Sequence, residues 1–203
     1  YAAMLSHEPK NYALLGHDGT LIVRGVAFRS SRAEPFGDRF LRQALKLLLI
    51  GDVSGVRDAY LATVGALRAR ALPTYDVASR VRLTKSPQEY LEGREKRREL
   101  SYEALLASGQ QSWSVGDRVH VYRRQNGEPG LAEPLSEEAA ATDRRDYDVE
   151  YYVRLLRTTY AERMSRAFTV EDFGVVFADP DQYSLFAPPV GSIRTVLVNS
   201  AGG

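Results

Sequence analysis

The sequence predicts an α+β chain, mostly helical, with a small antiparallel β-hairpin portion at its N-terminal end. Two observations carry that class. Short apolar runs rich in strand formers flank turn residues between Tyr12 and Val23, and from Phe36 onward apolar residues recur with a period near 3.6. Glycine, proline and helix-capping residues then punctuate the chain at helix-length intervals, with no repeats and no low-complexity tracts.

The elements follow in order. In "KNYALLGHDGTLIVRG", Tyr12 to Leu15 and Thr20 to Val23 are short runs of strand formers joined by the turn residues "GHDG". In "EPFGDRFLRQALKLLLIG", Pro35 suits a first helical turn. Phe36, Phe40, Leu41, Leu45 and Leu48 share a face, and Gly51 ends the helix. "DVSGVRDAYLATVGALRARAL" predicts a second helix with Val56, Tyr60, Val64 and Leu67 inward, stopped before Pro73. "DVASRVRLTK" reads as extended. Ser86-Pro87 with Glu89 three residues after Ser86 is a capping-box pattern. The basic stretch "GREKRREL" leads into "SYEALLASG", a helix ending on glycine, and "GDRVHVYRR" alternates like a strand. "DYDVEYYVRLLRTTYAERMSRAF" predicts one long amphipathic helix with Val149, Tyr152, Val153, Leu156 and Tyr160 on one side. Near the end, "VVFADPDQYSLFAPP" is a strand-like apolar run broken at Asp179-Pro180-Asp181. The expected division is a hairpin portion over 1–33, a helical domain over 34–178 and a tail over 179–203.

Composition excludes several functions. At 203 residues the chain can hold one good core, or one domain and a piece of another. It has no cysteine, hence no disulfide, no thiolate zinc site and no cysteine nucleophile. The three histidines, His7, His17 and His120, have no metal-ligand spacing. No run of about 18 apolar residues exists to span a bilayer and no signal peptide opens the chain, so no membrane partner is expected. The opening Tyr1-Ala2-Ala3, without methionine, reads as a piece of something larger. The formal charge is only +1, but for a polyanionic partner the distribution of charge matters more than its sum. Arg80, Arg82, Lys85, Arg94, Lys96, Arg97 and Arg98 fall between positions 80 and 98, against Glu89, Glu92 and Glu95 alone. Such a run is usually a solvated face. On a duplex-binding domain it would track phosphates without reading sequence. "EPLSEEAAATDRRDYDVE" is acidic and would repel phosphate.

Taken in series, "HEPKNYALLGHDG", the Gly25-centred "RGVAFRSSR", "SPQEYLEG", "LASG", "SVGDRVHVYRR" and "DYDVEYYV" resemble the C-terminal part of family B DNA polymerases. The likeness covers most of the chain, from the Lys-x-Tyr motif that closes the palm through the thumb. Its closest flavour is bacterial, because the cysteine clusters that end eukaryotic replicative members are missing. The resemblance implies that Lys10 and Tyr12 grip newly formed duplex near the primer end. Read alone, Tyr12 is a half-buried strand aromatic and Lys10 an exposed edge lysine. A lysine and a tyrosine hydroxyl are also apt donors to the backbone of DNA. Asn11 stands where many relatives carry a second basic residue. Ser30 and Ser31, flanked by Arg29 and Arg32, stand where paired arginines are usual; all can donate to phosphate oxygens.

The resemblance also bears on the aspartates of the tail. Two-metal phosphoryl transfer needs carboxylates holding ions about 4 Å apart. In family B these lie in an Asp-x-x-Ser-Leu-Tyr-Pro and a Tyr-Gly-Asp-Thr-Asp motif, both upstream of Lys-x-Tyr. Asp181, Ser184, Leu185 and Phe186 mimic the first motif but follow Lys10, and no "DTD" occurs. The chain is therefore expected to hold no catalytic residue, no metal and no cofactor of its own, with Mg2+ expected in the parent enzyme. Gln182-Tyr183-Ser184-Leu185-Phe186 resembles instead the peptide that docks on the bacterial sliding clamp, with Gln182, Leu185 and Phe186 as the binding residues. The implied function is a cytoplasmic DNA polymerase fragment, in replication or repair, that clasps primer–template duplex. The alternatives are a catalytically inactive, polymerase-derived DNA- or protein-binding adaptor, and an unrelated helical interaction domain.

Overall fold

The computed structural model describes residues 1–182 and 187–199. Strands β1 (Ala3–Glu8), β2 (Asn11–Leu15) and β3 (Leu21–Arg24) come first, then helices α1 (Pro35–Leu49), α2 (Val53–Arg68) and the single turn α3 (Thr74–Val77). Next are β4 (Ser79–Arg82), α4 (Pro87–Gly93), α5 (Leu100–Ala107), β5 (Arg118–Arg123) and β6 (Pro129–Leu131). The chain continues through α6 (Glu137–Thr142), α7 (Val149–Leu155), α8 (Val170–Val176) and β7 (Val198–Asn199). The α+β, mostly helical class is the one the periodicity predicts. Among the described residues no helix is long and apolar enough to cross a membrane.

The chain forms two compact units that do not follow chain order. The first comprises Tyr1–Ser30, Gly37–Ala66 and the chain from Val153 onward; the second comprises Ser31–Phe36 and Leu67–Tyr152.

In the first unit an antiparallel sheet runs β3-β2-β1-β7. Leu5, Ala13 and Val23 stand opposite one another and are buried, as are Ala3 and Leu15 in the next row. The alternate row of Ser6, Tyr12 and Arg24 therefore points to the other, more open face. The hairpin at β2–β3 is thus as expected, while β1 and β7 extend it on the other side. Phe40, Leu41, Leu45 and Leu48 of α1 and Val56, Tyr60 and Val64 of α2 are buried, the faces the 3.6-residue period assigns. Gly51, at φ 82°, ends α1, and the Asp52 carboxylate caps α2 through the Gly55 N–H at 2.8 Å.

Two expectations need correction here. The long helix after Asp148 is not uniform: α7 passes into a π turn at Leu156–Tyr160 and then a 3-10 segment at Ala161–Ala167. A π turn inserts one residue, and both Tyr160 and Ala161 are buried as a result, with Met164 and Ala167 following them inward. The Tyr160 ring lies so close over Gly37 that a Cβ there would sit 2.2 Å from it. The apolar run "GVVF", strand-like by composition, is the end of helix α8. Thr169 caps its start by accepting from the Asp172 N–H at 3.2 Å. Arg57 donates to the Val176 and Ala178 carbonyls at its end, at 2.8 and 2.5 Å. Caps at both termini outweigh the strand preference of two valines.

In the second unit the sheet runs β4-β5-β6, antiparallel throughout. α5 packs on β5 and β6. Leu83, Tyr90, Tyr102 and Leu105 form its core, with Leu106, Trp113, Val119 and Leu131 against them. The Tyr90 and Tyr102 rings stack at 4.4 Å. Tyr102 Oη accepts the Thr84 and Lys85 N–H groups, each at 2.9 Å, so its buried hydroxyl is satisfied. The capping box forms as read: Ser86 Oγ accepts from the Glu89 N–H at 3.2 Å and Glu89 Oε2 from the Ser86 N–H at 3.1 Å.

Candidate functional site

The sequence-derived basic residues fall in both units, and each group stands on its own. In the first unit, Lys10 occupies the β1–β2 turn with φ 67°, exposed. A lysine in the left-handed region is held there by its surroundings. Gly25, at φ 89°, presses against this turn: a Cβ would lie 2.4 Å from the Lys10 carbonyl oxygen and 2.1 Å from Asn11 Oδ1. Only glycine permits both the torsion and the approach. Asn11 Oδ1 accepts the Ala27 N–H at 3.0 Å, and the Arg163 guanidinium donates to the Ala27 carbonyl. Arg29 donates its N–H to the Gly25 carbonyl at 3.0 Å, closing the loop with Phe28 buried and the Arg29 side chain exposed. Asn11 thus welds the Lys10 turn to the Arg29 loop. Tyr12 stands between Ser6 and Arg24 on the open sheet face. Among the described residues the Lys10 ammonium, the Tyr12 hydroxyl and the Arg29 guanidinium have no hydrogen-bond or ion-pair partner. Arg24, exposed beside Tyr12, is a residue the sequence reading missed.

In the second unit the basic run divides in two. Part of it is neutralised internally. Arg94 forms a two-pronged pair with Glu103, at 2.9 and 2.8 Å, which holds the Glu103 carboxyl below its ordinary range. Glu103 also accepts the Tyr90 hydroxyl at 3.0 Å. Lys85 Nζ lies 2.5 Å from Glu99 Oε1. Arg97 and Arg98 sit at 3.9 Å from Glu99 and Glu103, on the rim of the same carboxylates. Lys96 is exposed. Arg32 is exposed too, and its carbonyl accepts the Ser79 hydroxyl at 2.7 Å.

Arg80 and Arg82 belong to a different surface. In the β4–β5 register Arg82 stands opposite Arg118, and Arg80 opposite His120. Directly opposed residues share a face, so these four side chains form one patch. Among the described residues no carboxylate pairs with Arg80, Arg82 or Arg118. Burial, aided by the charge of Arg80, holds the His120 imidazole below its ordinary pKa. The Tyr75 ring tilts over it at 4.8 Å, its hydroxyl 3.3 Å from Nε2. Arg118 and His120 lie in the strand the sequence predicts but were not counted as basic surface. An Arg-x-Arg in one strand and an Arg-x-His in another were the available signal, and the missing datum was their pairing.

A pocket of about 290 Å³ in the same unit, lined by Thr74, Tyr75, Tyr122, Arg124, Asp143 and Asp146, is less suited to an anion. It also carries three carboxylates, Glu133, Asp143 and Asp146; Asp143 accepts from Thr74, and Asp146 from the Tyr122 hydroxyl at 2.6 Å. In the tail, Asp179 closes a turn by accepting the Asp181 N–H at 3.0 Å. Gln182 is exposed, while Leu185 and Phe186 lie outside the described residues. Among the described residues no three acidic or histidine side chains gather as a divalent metal site requires.

No family model matches the chain, and no curated protein does. Among solved structures it is similar to the family B DNA polymerase of the hyperthermophilic archaeon Pyrobaculum calidifontis, with a TM-score of 0.58 and 20% identity. The match covers 82% of this chain and 22% of that polymerase, so the chain spans about a fifth of its length. The likeness shows a shared fold.

Proposed function

We propose that this chain is the palm end and thumb of a bacterial family B DNA polymerase, and that it clasps primer–template duplex while carboxylates elsewhere in the enzyme transfer nucleotides. The observation that carries the reading is the Lys10–Tyr12 turn. Its backbone is locked by Gly25 and Asn11, yet its ammonium and hydroxyl are left without partners inside the protein. A rigid turn presenting unmatched donors suits the sequence-independent grip on a backbone that a polymerase needs as it advances. Lys10, Tyr12 and Arg29 are the duplex contacts of the first unit. Arg80 and Arg82 are those of the second, with Arg32, Lys96, Arg97 and Arg98 as outer attraction. Lys85 and Arg94, engaged by Glu99 and Glu103, shape the surface more than they bind. Any Mg2+ of the whole enzyme is assigned to carboxylates outside this chain.

The test is fluorescence anisotropy of a labelled duplex over a salt series. Affinity should fall with salt with a log–log slope of about −0.9 for each phosphate neutralised, irrespective of base sequence. A flat salt response, or no binding at low salt, overturns the reading.

A further inference from the structure

Among the described residues the three arginines of the second unit's sheet have no carboxylate partner, whereas five other cations of that unit do. Arg68 meets Glu150, Lys85 meets Glu99, Arg94 meets Glu103, Arg123 meets Asp148 and Arg124 lies near Asp146. Arg82 and Arg118 face each other instead. Like charges directly opposite on an antiparallel pair, with Cβ atoms roughly 5 Å apart, destabilise a sheet unless an anion lies between them. The Arg82 guanidinium runs beside Gly116, at the end of the sheet where the chain leaves β4 and re-enters at β5, and both arginines are exposed there.

We infer that Arg82 and Arg118 together seat one backbone phosphate of a nucleic acid strand, and that Arg80 with His120 seats the next phosphate along. This rests on the duplex-clasp reading and deepens it. Two guanidiniums on either side of one phosphate offer more N–H donors than its oxygens accept, so each arginine can commit a forked pair. The second row lies two residues away, roughly 6.8 Å along the strand, comparable with the step between successive phosphates. In that row Arg80 supplies a permanent charge. His120, oriented by Tyr75, adds a donor and takes up a proton as the phosphate approaches. Arg80, Arg82 and Arg118 are exposed and side by side on a sheet face, with His120 half-buried beside them, which suits a running backbone better than an isolated small anion.

The seat makes a prediction that a generally basic surface does not. Arg82→Gln and Arg118→Gln should each weaken duplex binding. The double variant should weaken it little further, because both side chains serve one phosphate. Its salt slope should be smaller than the wild-type slope by about 0.9, and adding Arg80→Gln should remove about 0.9 more. In the absence of DNA the double variant should melt no lower than wild type at low salt, since a repulsive pair is gone; that melt also verifies its fold. Independent, additive losses from Arg82 and Arg118 overturn the shared seat. If wild type binds with a salt slope that the double variant retains, the seat falls and the clasp stands; if wild type does not bind, both fall. Inorganic phosphate serves as the control ligand. Protection of the wild-type melt by it, equal to that by duplex at equal phosphate concentration, overturns the assignment to nucleic acid.

Discussion

Gly25→Ala should be the most damaging alanine substitution at any glycine of the β1–β3 region, and its cost can be separated into two parts. Gly25 and Gly19 have nearly equal torsions, φ 89° and 81°. A side chain in the left-handed region costs about 1–2 kcal/mol, so both substitutions share that loss. A Cβ at Gly19 meets nothing within 4 Å, whereas at Gly25 it collides with the Lys10 carbonyl oxygen at 2.4 Å and Asn11 Oδ1 at 2.1 Å. The Asn11 side chain must then leave the Ala27 N–H, and an unsatisfied, half-buried donor costs about 1–3 kcal/mol. Gly25→Ala should therefore lose about 2–5 kcal/mol against about 1–2 kcal/mol for Gly19→Ala. Urea unfolding of both variants beside wild type, followed by far-ultraviolet circular dichroism, reads the difference directly. Displacing the turn also moves Lys10, so duplex affinity should fall for Gly25→Ala and hold for Gly19→Ala. Equal destabilisation of the two variants would refute the claim that close approach, rather than torsion alone, makes position 25 a glycine.

Three further outcomes are expected. Glu103→Gln should raise duplex affinity by releasing Arg94 and Arg98. Because pairing with Arg94 depresses the Glu103 carboxyl, that group stabilises the fold above the ordinary carboxyl pKa and loses this as pH falls through its folded value; the variant should flatten that acid limb in thermal melts. His120 is shifted the other way. With a folded pKa below its ordinary value near 6.5, the unfolded chain binds the proton more readily, so stability falls as pH drops from about 7 through the folded pKa, and His120→Gln should remove that slope. For the tail, calorimetry with a bacterial sliding clamp should detect binding that Leu185→Ala, Phe186→Ala abolishes, each anchor contributing roughly 1.5–3 kcal/mol on burial; equal heats from both proteins would end the docking proposal.

The helical skeleton was legible because it depends on local signals. The Ser86–Glu89 box, Pro35 and Gly51 each mark a boundary by chemistry confined to a few residues, and the buried faces of α1 and α2 follow from period alone. Less was legible where the cause is distant in sequence. β1 carries "AMLSHE", whose alternation is blurred by an irregular pairing between Ser6 and Glu8. The π turn answers to Gly37, more than a hundred residues before Tyr160. Of the candidate contacts, Lys10, Tyr12 and Arg29 were found by motif resemblance. The division of the basic run was not, because Glu99, at the N-cap of the next helix, and Glu103, within it, reach back to the run.

That division has a physical logic. A cation already hydrogen-bonded to a carboxylate must give up that bond to meet a phosphate, so its net gain is small even when its formal charge is the same. The run between Lys85 and Arg98 looks the most basic in the sequence, yet two glutamates engage four of its five cations. The sheet face looks unremarkable in one dimension because its charges alternate with Val81, Val119 and Val121. Pleating puts the valines on one side and Arg80, Arg82, Arg118 and His120 on the other. Charge that is unmatched and held on paired backbone loses little freedom on meeting a ligand. Charge that is matched, or carried on the connection between two helices, loses more. On that criterion the strand arginines, rather than the denser run that follows them, are where this unit should hold its partner most firmly.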